Sequence, residues 1–154
     1  LVSAPVIAKE RGIDVREVKR DQAEDYQTFI RLTITTERQK RTLAGTLFAG
    51  DKPRIVEIKG IKIEAELSPH MLYFTNADKP GLIGGMGQIL GDAGLNIATF
   101  HLGRAEAGGA AIGLVSTDSD ASEPVLDQLR ALPFIVQVTA LRFSAGVLLS
   151  GPLA

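Results

Sequence analysis

A polar corner, Asn76-Ala77-Asp78-Lys79-Pro80-Gly81, lies between an apolar segment that reads as a strand and a glycine-rich segment that reads as a helix. Where a strand leads into a helix, the N–H groups of the first helical turn are free to donate to an anion. The carboxylate of Asp78 adds a hydrogen-bond acceptor to the same small volume. An amino acid needs both, because its carboxylate requires donors and its amine requires an acceptor. The pattern therefore predicts a site for a small zwitterion.

Other site chemistries find little support in the sequence. The chain has no cysteine and two histidines, His70 and His101, without carboxylates at ligand spacing, so we expect no metal site and no catalytic residue. His101 is expected in a strand, as an interface or surface residue. The G-x-G of Gly85 and Gly87 lacks the third glycine and the parallel βαβ unit of a dinucleotide site.

Composition indicates an ordinary globular protein. Of 154 residues, 45% are hydrophobic and 23% charged, and the net charge is −1, which gives no bulk attraction to nucleic acid or to anionic membranes. No apolar run reaches the roughly 18–20 residues of a membrane span, and no signal peptide opens the chain. We therefore expect a cytoplasmic protein without nucleic-acid or membrane partners. The first residue, Leu1, is compatible with a piece of a longer protein.

The second half of the chain has a regular order of elements. We predict strands at 71–75, 95–102, 109–116 and 135–143, and helices at 80–93 and 123–132. The first helix has an apolar stripe of Leu82, Ile83, Met86, Ile89, Leu90 and Ala93, and the second of Val125, Leu126, Leu129 and Leu132. Ser122 is a candidate cap of the second helix. The order βαββαβ predicts a ferredoxin-like α+β sandwich, a four-stranded antiparallel sheet with two helices on one face.

The first half is β-rich with one helix. We predict a helix at 4–11, strands at 27–36, 42–48, 55–58 and 61–64, and turns at 37–40, 50–53 and Lys59-Gly60, while 13–18 could be strand or loop. Its core looks thin for an independent domain. The segment 67–69 is the predicted boundary, and we assign no role to the apolar tail 144–154.

The fold alone decides no function, because the βαββαβ sandwich serves several. RNA-binding versions carry stacking aromatics on the third strand, where this chain has Gly109-Ala110-Ala111-Ile112-Gly113-Leu114-Val115. Metal-carrying versions need paired cysteines, which are absent. Gly84, Gly85 and Gly87 each cost about 1 kcal/mol inside a helix. Close approach of a ligand, a second subunit or the packed sheet would compensate for that cost.

From residue 70 to about 143 the chain resembles the ACT domain, a regulatory amino-acid-binding fold. The matching run is NADKPGLIGGMGQILGDAGLNIATFHLGR, followed by GGAAIGLVSTD. Upstream, VSAPVIAKERGIDV, DYQTFIRLTI and AGTLFAGDKPRIVEIKGIKI resemble the second half of the intervening (allosteric substrate-binding) domain of long bacterial D-3-phosphoglycerate dehydrogenases. Both motif sets occur in that family's order. The resemblance therefore implies a partial intervening domain at 1–68, an ACT domain at 69–143 and a tail.

The resemblance also implies a site between two ACT domains that sit side by side and bind L-serine. Asp78 would hold the serine amine, and Asn96 of the other subunit would hold its carboxylate or amide neighbours. Gly81 and Leu82 would offer backbone N–H groups at the helix start. Asn76 stands where the family usually has histidine or tyrosine, so a different amino acid or no ligand is open. The simpler alternatives are a helix cap for Asp78 and a turn residue for Asn96.

In the intervening domain of this family, basic side chains can bind a phosphate-like anion. Arg54 in the P-R-I-V motif is the best candidate and Lys62 a weaker one, and the alternative is a solvated basic surface. The family's Rossmann domain, its catalytic residues and its NAD site have no counterpart in this stretch. We therefore expect no catalysis and no cofactor here, with NAD bound by the longer enzyme.

These expectations combine into one leading hypothesis. The chain is the regulatory C-terminal region of a serine-biosynthetic dehydrogenase, with L-serine or a similar amino acid and its own copies, as dimer or tetramer, for partners. One alternative is an ACT domain that only assembles subunits. Another is the regulatory part of an L-serine dehydratase, against which the domain order and the AKERGI and GTLF motifs argue.

Overall fold

The computed structural model describes residues 3–19, 26 and 28–144. Within these ranges eight strands form two four-stranded antiparallel sheets, and three helices accompany them. The elements are α1 (Ala4–Glu10), β1 (Ile30–Thr35), β2 (Lys40–Phe48), β3 (Lys52–Ile58), β4 (Ile61–Glu66), β5 (His70–Ala77), α2 (Leu82–Asp92), β6 (Ile97–Arg104), β7 (Ala110–Thr117), α3 (Glu123–Arg130) and β8 (Ile135–Arg142). Most of the tail, residues 145–154, lies outside the described residues.

The first sheet has the strand order β1-β2-β3-β4. Its β3–β4 hairpin closes through Lys59 (φ 52°) and Gly60 (φ 80°), and two positive φ angles are what a two-residue turn between twisted strands requires. The turn predicted at 50–53 is shifted, because Ala49 and Gly50 adopt positive φ and β3 already begins at Lys52. Residues 13–18 form no strand.

The second sheet has the order β6-β7-β5-β8, with α2 and α3 packed on one face. This is the ferredoxin-like arrangement that the order of elements predicts, and the α+β fold class is confirmed. The helix-side core is built around Phe74, Met86, Leu90 and Leu129, all fully buried. A Cβ on Gly113 would lie 2.0 Å from the Phe74 ring, so glycine leaves the space that this ring fills.

Both helices of the second sheet are shorter than predicted. Helix α2 begins at Leu82 rather than at Pro80, because Gly81 adopts φ 94° and takes the N-cap position. Its buried stripe is Leu82, Met86 and Leu90, spaced four residues apart, and Ile83 lies off that line at 55% exposed. Ser122 occupies the N-cap of α3 without making a side-chain capping bond.

Only one of the three costly glycines of α2 is explained by packing. A Cβ on Gly85 would lie 3.0 Å from the Leu132 side chain just beyond α3, so this glycine permits close contact between the helices. Nothing lies within 4 Å of a Cβ on Gly84 or Gly87. Those two positions are therefore open, and packing among the described residues does not account for them.

The two sheets pack against each other through β4. Its burial alternates strictly, and Ile61, Ile63 and Ala65 face the side of the second sheet that carries no helix. They contact Met71, Ile112 and Leu114 of that sheet. At Gly103 of β6 the two sheets approach closely, since a Cβ there would lie 2.4 Å from the Lys62 carbonyl oxygen. The core that looked thin in the sequence is thus completed by the second sheet.

Candidate amino-acid site

Asp78 follows the last residue of β5 and is held in place from the β6–β7 loop. Its N–H donates to the Gly109 carbonyl at 2.9 Å, and its Oδ2 accepts from the Gly108 N–H and from Arg104 Nη1, each at 3.1 Å. The Gly108 N–H first, and then the Arg104 guanidinium, hold the pKa of Asp78 below its ordinary value. Asp78 is therefore ionised at neutral pH.

The first turn of α2 is open beside Asp78. Gly81 is the N-cap and no side chain caps the helix, so Asp78 does not serve as its cap. The first N–H groups of a helix have no partner within the helix, and the positive end of the helix dipole lies there. A Cβ on Gly81 would meet nothing within 4 Å. The N–H groups around Leu82 thus remain available to an anion.

Asn76 is buried near the same end of the sheet, with 4% of its surface exposed. Its Nδ2 donates to the Ala77 carbonyl at 2.8 Å. Its Oδ1 is buried and accepts no hydrogen bond from the part of the chain that the structure describes. A buried acceptor without a donor is costly, so this oxygen is a candidate acceptor for a further donor.

Asn96 lies at the other end of the sheet. It precedes β6, and its Nδ2 donates to Asp118 Oδ2 at 2.9 Å. Strand β6 runs parallel to β5, because both are antiparallel to β7. Its eight residues separate Asn96 from the Arg104 end by roughly 25 Å at about 3.3 Å per residue. One copy of the chain therefore does not bring Asn96 to Asp78.

The two predicted anion-binding residues also lie apart. Arg54 stacks on the Phe48 ring at 4.8 Å, and its Nη2 lies 3.8 Å from Glu66 Oε2. Lys62 pairs in register with Glu57, whereas Arg54 pairs with Glu66. Lys62 and Glu66 are four residues apart along β4, which corresponds to roughly 13 Å. The structure does not bring Arg54 and Lys62 together, and each has an acidic neighbour. They remain separate predictions.

The sequence reasoning missed the residues that position Asp78. Arg104 ends β6 and Gly108 lies in the following loop, so both are distant from Asp78 in the sequence. The glycine pair after a strand signals a turn, but only the register of β5 with β7 places that turn beside Asp78. The sequence therefore indicated the turn at Gly108-Gly109, but it did not indicate that this turn contacts Asp78.

Only one of the two histidines has a polar side-chain partner among the described residues. His70 Nδ1 lies 2.8 Å from Asp120 Oδ1, and Arg142 Nε lies 3.0 Å from Asp120 Oδ2. These contacts, His70 first, hold the pKa of Asp120 below its ordinary value. His101 lies on β6, one of the two edge strands of the second sheet, and its buried Nε2 has no partner among the described residues.

The described ranges contain no group of three or more histidine, cysteine, aspartate or glutamate side chains that could hold a metal ion. Among those residues, too, no helix is both long and apolar enough to cross a membrane.

Comparison with known protein families agrees with this architecture. The family model described as the ACT domain matches residues 70–134, and the one described as the D-3-phosphoglycerate dehydrogenase intervening domain matches residues 1–59. The chain therefore contains an ACT domain preceded by sequence of the intervening-domain family. The resemblance predicted from the two motif sets is confirmed.

Individual relatives point to the same pair of domains. D-3-phosphoglycerate dehydrogenase of Bacillus subtilis is 37% identical over 137 residues, and that of Methanocaldococcus jannaschii is 33% identical over 141 residues. The matches cover 89% and 92% of this chain but 26% of each relative, so the chain spans about a quarter of their length. A probable L-serine dehydratase beta chain of B. subtilis is 27% identical over 133 residues, which are 86% of this chain and 60% of that protein.

Proposed function

We propose that this chain is the regulatory C-terminal region of a D-3-phosphoglycerate dehydrogenase, and that its ACT domain binds L-serine or a related amino acid between two subunits. In this proposal residues 1–68 are part of the intervening domain, 69–143 the ACT domain and 144–154 a tail. The catalytic residues and the NAD site belong to the rest of a longer cytoplasmic enzyme. Dehydrogenase relatives at 37% and 33% identity support this assignment.

One observation carries the ligand proposal: an uncapped helix start follows an ionised carboxylate, and at the same end of the sheet Oδ1 of Asn76 is buried without a donor among the described residues. The free N–H groups around Leu82 suit an α-carboxylate, and Arg104, whose side chain is 59% exposed, supplies a further donor. The carboxylate of Asp78 and Oδ1 of Asn76 suit the α-ammonium group. Donors and acceptors are thus present for both ends of an amino acid.

In this proposal the second subunit completes the site through β6, which is an edge strand whose outer side pairs with no other strand of the described residues. If β6 pairs antiparallel with β6 of a second copy, the start of one strand lies beside the end of the other. Asn96 of the second copy then comes near Arg104, which contacts Asp78. This pairing supports an amino-acid site shared by two subunits, and its two-fold symmetry creates two such sites.

Regulation follows if the amino acid binds one arrangement of the subunits better than another. The effect on activity is then set by the difference between the two affinities, and couplings of about 1–3 kcal/mol are typical. The edge-to-edge contact is suited to this role, because the ligand lies where the two ACT domains meet.

Calorimetric titration of the chain with L-serine tests the proposal, with glycine, L-alanine and D-serine as comparison ligands. We expect saturable binding of L-serine, with loss of affinity in Asp78→Ala and in Asn96→Ala. Asp51→Ala is the matched control, because Asp51 lies in the exposed turn between β2 and β3. Absence of heat and of a thermal shift at millimolar serine would refute serine binding.

Mixing the two binding variants tests whether the site is shared. Each variant alone lacks an intact site. A heterodimer of Asp78→Ala with Asn96→Ala, however, retains one site with both native residues. Random re-pairing should therefore restore about one quarter of the sites. No recovery after confirmed subunit exchange would contradict a shared site.

A second function, assembly without an effector, is favoured by the Asp78–Arg104 ion pair. That pair already satisfies the carboxylate in the absence of any ligand. Under this reading the chain self-associates through β6, L-serine has no effect, and Asp78→Ala leaves the oligomeric state unchanged. Sedimentation measured with and without L-serine separates the two functions.

A further inference from the structure

Arg104 and Asn76 lie in one row across the end of the second sheet. Arg104 pairs in register with Ala111 on one side of β7, and Asn76 pairs with Ala111 on the other side. Residues opposite each other on antiparallel strands share one face of the sheet. Neighbouring strands are about 4.8 Å apart, so roughly 10 Å separates the backbones of Arg104 and Asn76. The side chain between them in this row is a single methyl group.

This row belongs to the face that carries the helices. A Cβ on Gly103 would point at β4 on the opposite face, and side chains alternate along a strand, so Arg104 points to the helix side. Phe74 belongs to the helix-side core, and Asn76 follows it by two residues. The loop from β5 to α2 leaves the sheet at this same end. Arg104, Asn76 and the start of α2 therefore share one end and one face of the domain.

Arg104 brings a positive charge to the carboxylate that would hold a ligand amine. Its Nη1 donates to Asp78 Oδ2 at 3.1 Å, and the Gly108 N–H donates to the same oxygen. An ammonium group bound to Asp78 would therefore lie close to a guanidinium group, and like charges at short range repel each other. A ligand carboxylate in contact with Arg104 would neutralise that charge. The side chain of Arg104 is 59% exposed and therefore accessible to a ligand.

We propose that Arg104 determines the ligand class of the amino-acid site: it disfavours simple amines and admits molecules that carry a carboxylate as well as an ammonium group. This role rests on the proposed function, because it requires a ligand amine at Asp78. Asn76 Oδ1, a buried neutral acceptor without a donor among the described residues, does not distinguish an amine from an amino acid. The N–H groups at the start of α2 attract a carboxylate, but they remain in every variant of Arg104. The two contributions can therefore be separated by substitution.

Calorimetric titration of the whole chain at pH 7 with L-serine and with ethanolamine, which is serine without its carboxylate, tests this role. The wild type should bind L-serine at least tenfold more tightly than ethanolamine. Arg104→Gln should bind L-serine severalfold more weakly and ethanolamine severalfold more tightly, so that the ratio of the two affinities falls about tenfold. Arg104→Lys keeps the charge and should keep most of the discrimination.

Arg142→Gln is the matched control. Arg142 also forms an exposed ion pair, with its Nε 3.0 Å from Asp120 Oδ2, and its register partner His70 begins β5 at the opposite end of the sheet from Asp78. This variant should leave both affinities unchanged. Weaker binding of both ligands by Arg104→Gln would indicate a structural role for Arg104. Weaker binding of L-serine with an unchanged affinity for ethanolamine would indicate a donor that does not select. Either result overturns the proposal.

NMR titration of the Asp78 carboxyl group tests the contact without a ligand. The Gly108 N–H and then Arg104 hold the pKa of Asp78 below its ordinary value. Arg104→Gln should therefore raise this pKa part of the way, because the Gly108 hydrogen bond remains. An unchanged pKa would show that the guanidinium does not act on the carboxylate and would overturn the proposal.

Failure of the proposed function has a different signature. If L-serine binds neither the wild type nor Arg104→Gln at millimolar concentration, while the pKa of Asp78 responds to the substitution, the amino-acid site itself is wrong, and the selective role is wrong with it. If L-serine binds the wild type and Arg104→Gln does not gain affinity for ethanolamine, only the selective role is wrong.

Discussion

Asp78 Oδ2 lies 3.1 Å from Arg104 Nη1 and 3.1 Å from the Gly108 nitrogen, so the end of β5 is bound to the end of β6 and to the loop that follows it. The same contacts keep the carboxylate charged and lower its pKa. A residue predicted to bind a ligand therefore also has a structural role. The two roles can be separated by their dependence on pH.

Asp78→Asn should remove part of the acid sensitivity of folding. The pKa of Asp78 is lowered in the folded state, so its contribution to stability is complete above the unfolded value of about 3.9. That contribution is lost as the pH falls through the lower folded pKa. Asparagine has no such dependence. Urea unfolding between pH 2 and pH 6 should therefore show a shallower decline for Asp78→Asn below about pH 4.

Asp51→Asn is the control for this measurement. Asp51 lies in the exposed turn between β2 and β3 and makes no ion pair within the described part of the chain. Its variant should keep the full acid dependence of the wild type. Parallel curves for wild type and Asp78→Asn would show that the Arg104 and Gly108 contacts contribute no stability.

Leu102→Lys should weaken self-association. Leu102 is 40% exposed on β6, the edge strand that the proposed pairing buries. Loss of a buried leucine costs about 1.5–3 kcal/mol, and about 1.4 kcal/mol corresponds to a tenfold change in affinity. The dissociation constant from analytical ultracentrifugation should therefore rise about tenfold or more.

Ile30→Lys provides the matched comparison, because Ile30 is 77% exposed on β1, the edge strand of the first sheet. It should leave the dissociation constant unchanged. If Ile30→Lys dissociates the protein and Leu102→Lys does not, the copies meet through the first sheet, and the shared amino-acid site loses its geometric basis.

The sequence predicted the second sheet well because its signals are local. The stripe of Leu82, Met86 and Leu90 indicates helix α2 directly, although the sequence placed its start at Pro80 and the structure places it after the left-handed Gly81. The Lys59-Gly60 turn fixes its hairpin in the same way. Patterns that repeat within one element can be read without knowing the fold.

Contacts between distant segments could not be predicted in this way. The pairing of Arg104 with Asp78 depends on the register of β5, β7 and β6 and leaves no trace in either local pattern. The packing of β4 on β6 likewise has one trace in the sequence, the glycine at position 103, and that glycine does not identify the strand that packs on it. Asp78 was found from its type and its place before a helix, whereas its partners required the sheet.

Gly113→Ala should destabilise the second sheet strongly. A Cβ there would lie 2.0 Å from Phe74 Cζ, and the Phe74 ring is fully buried beside Phe100 at a centroid distance of 5.8 Å. Overpacking of this kind costs about 1–3 kcal/mol or more. Phe74→Leu should relieve the clash, so the double variant should lose less stability than the sum of the single losses. Additive losses in urea unfolding would contradict the assigned contact.

Gly103→Ala should weaken the packing between the two sheets and lower the stability of the protein, whereas Gly87→Ala should raise its stability. At Gly103 the Cβ would lie 2.4 Å from the Lys62 carbonyl oxygen and 3.2 Å from Ile63 Cβ, so β4 must shift as a whole. We expect a loss of about 1–3 kcal/mol, with hydrogen-exchange protection lost first in β4. Nothing lies within 4 Å of a Cβ on Gly87, so alanine should add up to about 1 kcal/mol through helix propensity. Equal effects of the two substitutions on stability would contradict the close approach of β4 to β6.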